Sequence, residues 1–339
     1  MTHSIRISAW CAGLLLLLSG CAQTQTSNDP VLNSEYYDGD PMLNLMGDTP
    51  PANEQEAQGR GMQALLDGNL DLALYEYIRA VQFLDATEQA DSFYQIGSIH
   101  QIRDNTDLAE RAFRQSLAYD PKYIASLEKL GILESKRGKT AQGAQYFLEA
   151  LSADQHRLGE NPNTSLTRNM PVSTIRNLKF DAQSPIGSYI GLGVISDIDR
   201  DHDRAKAYLE HALEINPNSV RALVNLGYSN YMDGNYELAA HLTQAALRLQ
   251  PSHAKALNNM ALIYLAQNRP GLALSTFQRH MTEAEALNNV GYFLLIQGKP
   301  DQAVPYLQQA ISADPAYYKT AHDNLERALA EMRAQGSGS

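Results

Sequence analysis

The stretch NLGYSNYMDGNYELAAHLTQAAL, residues 225–247, contains the pattern that decides the fold. Gly227 and Ala239 are small residues twelve positions apart, and a third small residue, Ala246, follows seven positions later. The twelve-residue spacing recurs seven times along the chain, which predicts an array of similar helical units and not an unrelated helical bundle. The seven pairs are Gly61–Ala73, Gly97–Ala109, Gly131–Gly143, Gly193–Ala205, Gly227–Ala239, Ala261–Ala273 and Gly291–Ala303.

Each unit is predicted to consist of two antiparallel helices. Small residues let the two backbones approach where the helices cross, and a larger residue four positions after the second small residue fills the space beside them. One pair of helices cannot bury its own apolar face, so the units are expected to stack into a superhelix. The larger slot is occupied by Tyr77, Phe113, Phe147, Leu209, Thr243, Phe277 and Leu307.

The successive spacings are 36, 34, 62, 34, 34 and 30 residues, and a period of about 34 with these slots resembles the tetratricopeptide repeat. The resemblance implies an all-α superhelix of seven helix–turn–helix repeats. Repeats 1–3 are placed at 54–157 and repeats 4–7 at 186–317. A charged helix at 318–335 is expected to cap the array, and the final 336–339 is interpreted as an added linker.

Two departures from the period are informative. The 62-residue spacing places an insertion of about 28 residues at 158–185. This mildly basic segment is interpreted as a partner contact, a flap over the groove, or a tolerated surface loop. The sixth repeat is four residues short, which predicts a tight or bent connection near His280.

The amino terminus resembles a bacterial lipoprotein signal. The apolar run from Ile7 to Leu18 has 12 residues, fewer than the roughly 20 needed to span a bilayer. It ends in Leu18-Ser19-Gly20-Cys21, which matches all four positions of a lipobox. The resemblance implies that 1–20 is removed, that Cys21 carries lipid such as palmitate, and that the protein is lipid-anchored. Ala22, in place of an aspartate, favours the outer membrane. The alternative is an ordinary signal peptide with an incidental cysteine.

The segment 21–53 lacks any helical period and is expected to be a lipidated tether. A flexible coil of this length would span about 30 Å and would hold the repeats away from the membrane. Its centre is more apolar than a spacer requires, so it either docks on the repeats or on a partner, or is a plain linker. The apolar residues are Tyr36, Tyr37, Met42, Leu43, Leu45 and Met46.

Composition narrows the possible functions. The net charge is −11, and removal of Arg6 with the signal would make it −12. An acidic protein is poorly suited to nucleic acid, so no nucleic-acid partner is expected. Cys11 would leave with the signal and Cys21 would be acylated, which leaves no thiol for a disulfide. No nucleophile, metal or phosphate-binding motif is present, so neither an enzyme nor a cofactor beyond the covalent lipid is expected.

A series of asparagines predicts the binding site. Asn225, Asn259 and Asn289 each lie two positions before the opening small residue, so they occupy equivalent places on successive first helices. An amide both donates and accepts, and can therefore pair with an extended peptide backbone. The series resembles the asparagine ladders of some tetratricopeptide grooves, although asparagine could simply be common at this position. The same face is predicted to carry Tyr228, Tyr231, Asn258, Leu262, Asn288 and Tyr292.

A lipobox followed by these repeats resembles the TadD-like lipoproteins of Flp/Tad pilus assembly, and its plan is similar to that of the pilotins of type IV pilus secretins. The stretches 287–292, 297–299 and 301–303 are most similar to that group. The resemblance implies an adaptor on the periplasmic face of the outer membrane. It would bind proteins or extended peptides, secretin or pilus components among them. The alternatives are an NlpI-like scaffold for peptidoglycan hydrolases or synthases and an accessory subunit of an enzyme.

Overall fold

The computed structural model describes residues 30, 31, 34–39, 49–160, 166–314 and 318–336. The predicted signal peptide, Cys21 and the apolar residues Met42, Leu43, Leu45 and Met46 lie outside the described residues.

The described residues form helices and no strands, as the sequence predicts. Seven antiparallel pairs follow one another: α1 with α2, α3 with α4, α5 with α6, α8 with α9, α10 with α11, α12 with α13 and α14 with α15. The short α7 lies in the insertion, and α16 packs on the last pair. The helices are α1 Glu54–Leu66, α2 Leu70–Ala80, α3 Gln89–Ile102, α4 Thr106–Tyr119, α5 Ile124–Lys136, α6 Thr140–Arg157, α7 Val172–Arg176, α8 Ile186–Ile198, α9 His202–Ile215, α10 Val220–Met232, α11 Tyr236–Leu249, α12 Ala254–Ala266, α13 Pro270–Phe277, α14 Glu283–Ile296, α15 Pro300–Ala313 and α16 Lys319–Gly336.

The turn within each repeat contains one residue with a positive φ, and in four of the seven repeats the next side chain caps the second helix. In the fifth repeat Gly234 adopts a φ of 80°, a left-handed conformation that costs glycine little. The next residue, Asn235, then accepts a hydrogen bond from the backbone N–H of Leu238 and so caps α11. Where the turn residue is Arg200, the cap is the carboxylate of Asp201. Local sequence therefore ends one helix and begins the next.

The packing predicted for the small and large slots is confirmed. A Cβ added to Gly97 would lie 2.6 Å from the ring of Phe113, and one added to Gly131 would lie 2.5 Å from the ring of Phe147. A Cβ on Gly193 would meet Leu209 at 2.6 Å. The large residue of the second helix thus occupies the space that the glycine of the first helix leaves open.

The hydrophobic core is continuous across the insertion. One cluster of buried side chains joins Phe147 and Leu151 of α6 to Tyr189 and Ile190 of α8 and continues into α10 and α12. The repeats on the two sides of 158–185 therefore pack directly on each other, because α5 and α6 both contact α8.

The described part of the insertion lies against the second helices α6 and α9. Ile175 is fully buried, and its carbonyl lies 2.7 Å from Nε2 of His211 on α9. The side-chain amide of Gln155 on α6 donates to the carbonyl of Lys179 at 2.7 Å and accepts from its N–H at 3.0 Å. Arg157 pairs with Asp181 and holds the pKa of that exposed carboxyl at about 2. These contacts fix the described part of the insertion to the second helices α6 and α9.

Residues 34–39, which we call the strap, pack on the first two repeats, which is one of the alternatives that the sequence leaves open for the apolar centre of the tether. The ring of Tyr36 contacts that of Phe93 edge-on, with centroids 5.4 Å apart, and Tyr37 approaches Tyr75 at 6.5 Å. Nε2 of the buried His100 lies 2.8 Å from the carbonyl of Tyr36. Aromatic burial in the centre of this segment therefore joins it to the core of the first repeats.

The shortened sixth repeat has the tight connection that its length predicts. Its second helix, α13, has 8 residues, fewer than the second helix of any other described repeat. The chain then enters α14 through a capping box in which Thr282 and Glu285 bond each other's backbone N–H.

None of the described helices has the length and apolar character needed to cross a bilayer.

Candidate functional site

The first helices of repeats 3–7 lie side by side and form one layer. Contacts join α5 to α8, α8 to α10, α10 to α12 and α12 to α14. The layer bounds an open groove of about 550 Å³ whose lining comes from α5, the start and middle of α6, α8, α10 and the start of α12. This volume lies within the range of about 300–1,000 Å³ typical of ligand pockets.

The floor of the groove is one face of α8. Ile190, Val194 and Ile198 follow one another at intervals of four, which places them on one side of the helix. Ile198 is 62% exposed. Val224 of α10 and Ile132 of α5 extend the apolar surface on either side. Ile190 and Val224 are each 3% exposed, so a partner's apolar side chains can be buried mainly on the half-buried Val194 and the exposed Ile198.

A half-buried carboxylate fixes the position of α8. Glu128 of α5 accepts hydrogen bonds from the backbone N–H of Ser188 at 2.9 Å and from its hydroxyl at 3.4 Å. Burial raises the pKa of Glu128, and the hydrogen bonds from Ser188 lower it by a smaller amount. Because helix amino termini favour negative charge, this contact caps α8 and orients the face that forms the groove floor.

The rim of the groove is polar and carries positive charge. Lys136 ends α5, Arg221 and Asn225 lie in the first two turns of α10, and His253 and Lys255 lie at the start of α12. The lining among the described residues includes no aspartate or glutamate. The groove therefore differs in charge from the chain as a whole, which carries 38 acidic residues and 27 basic ones.

The three predicted asparagines occupy equivalent helix positions, but only Asn225 lines this groove. The Asn225 amide donates to the carbonyl of Arg221 in its own helix at 2.9 Å. Asn259 donates to the carbonyl of Val224 in the preceding first helix at 3.0 Å, and Asn289 donates to the sulfur of Met281 at 3.1 Å. One hydrogen bond from each amide is thus made within the chain, and Asn259 joins two neighbouring first helices.

Two further predicted amides also bond within the chain. Oδ1 of Asn258 lies 2.9 Å from Nε2 of His280, and Asn288, which is buried, accepts from Asn324 of α16 at 2.9 Å. The Asn288 contact attaches the terminal helix to the last repeat.

The predicted aromatic and apolar residues lie beyond the lining of the described groove. The rings of Tyr228 and Tyr231 lie 6.4 Å apart on α10 and are partly exposed. Leu262 on α12 and Tyr292 on α14 are half-buried. They sit on the first helices of repeats 5–7, where the peptide-binding role that the sequence analysis gives them stays a prediction.

The apolar floor on α8 and the rim cations were not predicted from the sequence. A periodic signal was also not predicted, and it lies five positions after the opening small residue, at the last position of each first helix. Five of these seven positions carry a large apolar side chain that is between 46% and 77% exposed, and Ile198 is one of them. The five are Leu66, Ile102, Ile198, Met232 and Ile296. These five residues recur at a fixed place in the repeat, so the same period that identifies the buried small residues also identifies them.

The described residues of the insertion do not cover the groove, because none of them is part of its lining. Arg168 instead pairs with Asp199, and Arg204 donates to the carbonyl of Met170 at 2.5 Å. In the parts of the chain that are described, no cluster of His, Cys, Asp and Glu has an arrangement that could hold a metal ion.

Comparison with known families agrees with this geometry. Two tetratricopeptide repeat models match the sequence, one over residues 199–244 and 233–286 and the other over 90–123 and 284–317. The chain contains tetratricopeptide repeats. The matched residues include the second and seventh helix pairs, and a search of curated proteins finds no match.

Solved structures share the tetratricopeptide fold at low identity. The Cut9–Hcn1 hetero-tetramer of APC/C is similar with a TM-score of 0.53 and 16% identity, over 82% of this chain and 50% of that chain. A tetratricopeptide repeat protein from Parabacteroides merdae gives a TM-score of 0.49 and 17% identity, over 81% of this chain and 98% of that one. PilW, described as a widely conserved type IV pilus biogenesis factor, gives a TM-score of 0.44 and 16% identity, over 81% of this chain and 98% of that one. These likenesses concern the fold alone.

Proposed function

We propose that this tetratricopeptide protein is an adaptor, anchored by lipid to the periplasmic face of the outer membrane, that binds an extended segment of a partner protein in its groove. The observation that carries the proposal is the groove of about 550 Å³ with an apolar floor on α8 that ends in the exposed Ile198. No catalytic role is included in the proposal.

The dimensions of the groove support a segment as the occupant. Successive first helices provide a continuous surface, and Ile198 exposes most of its side chain at one end of the floor. Covering such a side chain stabilises a complex by roughly 1.5–3 kcal/mol when burial is complete. A few anchors of this kind suffice for a specific interaction, since a handful of central residues usually dominates binding.

The membrane anchor and the pilus partner rest on the sequence. The lipobox ending in Cys21 supports lipid attachment, and Ala22 supports the outer membrane. The resemblance to TadD-like lipoproteins supports pilus or secretin components as partners. The likeness to PilW is a likeness of fold and adds no independent weight to that assignment.

The experiment is site-specific photocrosslinking in native membranes. A photoreactive phenylalanine analogue replaces Ile198 on the groove floor, and in a matched control it replaces Leu249 on α11, which is 45% exposed and outside the groove lining. We expect a secretin or pilus component to crosslink at position 198 and not at 249. Equal products at both positions would contradict the groove as the binding site. If peptidoglycan enzymes crosslink at 198 instead, the protein is still an adaptor, but its role is that of an NlpI-like scaffold and not of a pilus assembly factor.

The same membranes test the anchor and the asparagine series. Cys21→Ser is expected to remove lipid labelling and release the protein from the outer-membrane fraction, and retention in that fraction would exclude the lipid anchor. If the asparagine series contributes to binding, Asn225→Ala/Asn259→Ala/Asn289→Ala reduces the crosslink at 198. An unchanged crosslink assigns these amides to packing between helices.

A further inference from the structure

Three exposed cations lie at the groove rim. Lys136, Arg221 and Lys255 are exposed and line the groove. None of them forms an ion pair with any described residue, whereas the nearby Arg137 and Lys139 each pair with a carboxylate. In a chain with an excess of acidic residues, a set of exposed cations that stays unpaired concentrates positive potential in one place.

The cations surround the apolar floor from different helices. Lys136 ends α5 on one side of α8, and Arg221 and Lys255 begin α10 and α12 on the other side. Arg221 and Lys255 occupy the second positions of their helices, where the helix dipole disfavours a positive charge. The positive ends of two helix dipoles and two side-chain charges therefore add at the same rim, and no lining carboxylate among the described residues offsets them.

We propose that the groove takes an extended acidic segment in which carboxylates alternate with large aliphatic or aromatic side chains. This inference rests on the proposed function and names the chemistry of the partner. The apolar side chains would lie on Val194 and Ile198, and the carboxylates would meet the rim cations. The acidic remainder of the surface would repel such a segment, so long-range attraction directs it to the groove.

The test is a selection with a random dodecapeptide library displayed on phage, using the full chain in detergent at low ionic strength. We expect the enriched peptides to be rich in Asp and Glu together with Leu, Ile or Phe. Synthetic copies of them, measured by fluorescence anisotropy, are expected to bind Arg221→Glu/Lys255→Glu about tenfold more weakly than the unaltered chain. Their affinity should also fall as salt is added.

The matched control is Lys122→Glu/Arg248→Glu. Both of these residues are exposed, lie outside the groove lining and form no ion pair with the described residues, and the change in net charge is the same. Binding to this control should stay within about twofold of the unaltered chain, because neither side chain lines the groove and so neither contacts a carboxylate bound there. An equal loss in both double variants would show that net charge alone matters and would overturn the proposal.

A third variant separates this proposal from the proposed function. Ile198→Gln removes an exposed apolar contact from the groove floor and keeps the rim charges. Enriched peptides that lose affinity for Ile198→Gln would support the groove as the binding site. If those peptides carry no excess of acidic residues, or bind Arg221→Glu/Lys255→Glu normally, the proposal of an acidic partner is refuted. If no enriched peptide depends on Ile198, both proposals fall.

Discussion

At the scale of single residues, the close approach of Gly131 to Phe147 makes a direct test of the repeat pattern. Gly131→Ala would place a Cβ 2.5 Å from the ring of Phe147, which is itself buried. The ring has little room to move, so we expect the overpacked variant to be less stable by about 1–3 kcal/mol. Urea unfolding followed by circular dichroism measures the change.

The control for that substitution is another helical glycine. Gly59 lies in α1, and a Cβ added to it would find no neighbour within 4 Å. Gly59→Ala should therefore stabilise the protein by about 0.5–1 kcal/mol through helix propensity alone. If the two alanine variants shift stability in the same direction, the steric account of Gly131 is incorrect.

Residue-scale packing was predictable wherever it repeats. The pairing of each small residue with a large one recurs at a fixed offset, so Gly97 with Phe113 could be inferred without coordinates. The contacts of the asparagines could not be inferred in this way. Equivalent positions give Asn225 a partner in its own helix and Asn259 a partner in the neighbouring helix. That difference depends on the local fit between helices, which periodicity does not encode.

At the scale of elements, the cap that Glu128 provides for α8 makes stability depend on pH. Burial raises the pKa of Glu128 above its ordinary 4.5 in the folded protein. Folding therefore favours the protonated form, and this group costs stability as the pH rises from about 4.5 through the raised value. Glu128→Gln keeps an acceptor for Ser188 and cannot ionise. Its stability relative to the unaltered chain should improve between pH 4 and pH 7, as measured by urea unfolding at each pH.

The matched control is Glu285, whose pKa is shifted in the opposite direction. Hydrogen bonds from the backbone and hydroxyl of Thr282 lower the pKa of Glu285 at the start of α14. A lowered pKa adds stability above the unfolded value and loses it as the pH falls, so Glu285→Gln should become relatively less stable between pH 4 and pH 7. Parallel trends in the two glutamine variants would rule out the burial of Glu128 as the cause.

Elements defined by the repeat were predictable, and those held by distant contacts were not. The short α13 follows from a count of residues. The insertion packs through Ile175 and Gln155, whose partners lie 24–36 residues away in sequence. The strap is held in the same way, since its tyrosines meet rings more than 30 positions along the chain. No period marks such contacts, so the sequence could identify the apolar residues but not their partners.

At the scale of the whole molecule, the array is a linear series in which each repeat packs on its neighbours. The stability of such a protein is close to a sum of repeat and nearest-neighbour contributions. The strap adds Tyr36 and Tyr37 to the core of the first two repeats, in a cluster separate from the one that spans α6 to α12. The loss of these rings should therefore open the amino-terminal repeats locally and leave the distant repeats closed.

Amide hydrogen exchange tests this expectation with Tyr36→Ala/Tyr37→Ala. Each aromatic pair contributes about 0.5–1.5 kcal/mol beyond area burial, so exchange in α1–α4 should accelerate about tenfold while α10–α15 stay protected. The reciprocal control, Tyr228→Ala/Tyr231→Ala, removes two partly exposed rings from α10. It should affect the fifth repeat and leave α1–α4 unchanged. Uniform acceleration along the chain in either variant would show that the repeats unfold as one cooperative unit, and the strap would then stabilise the whole molecule.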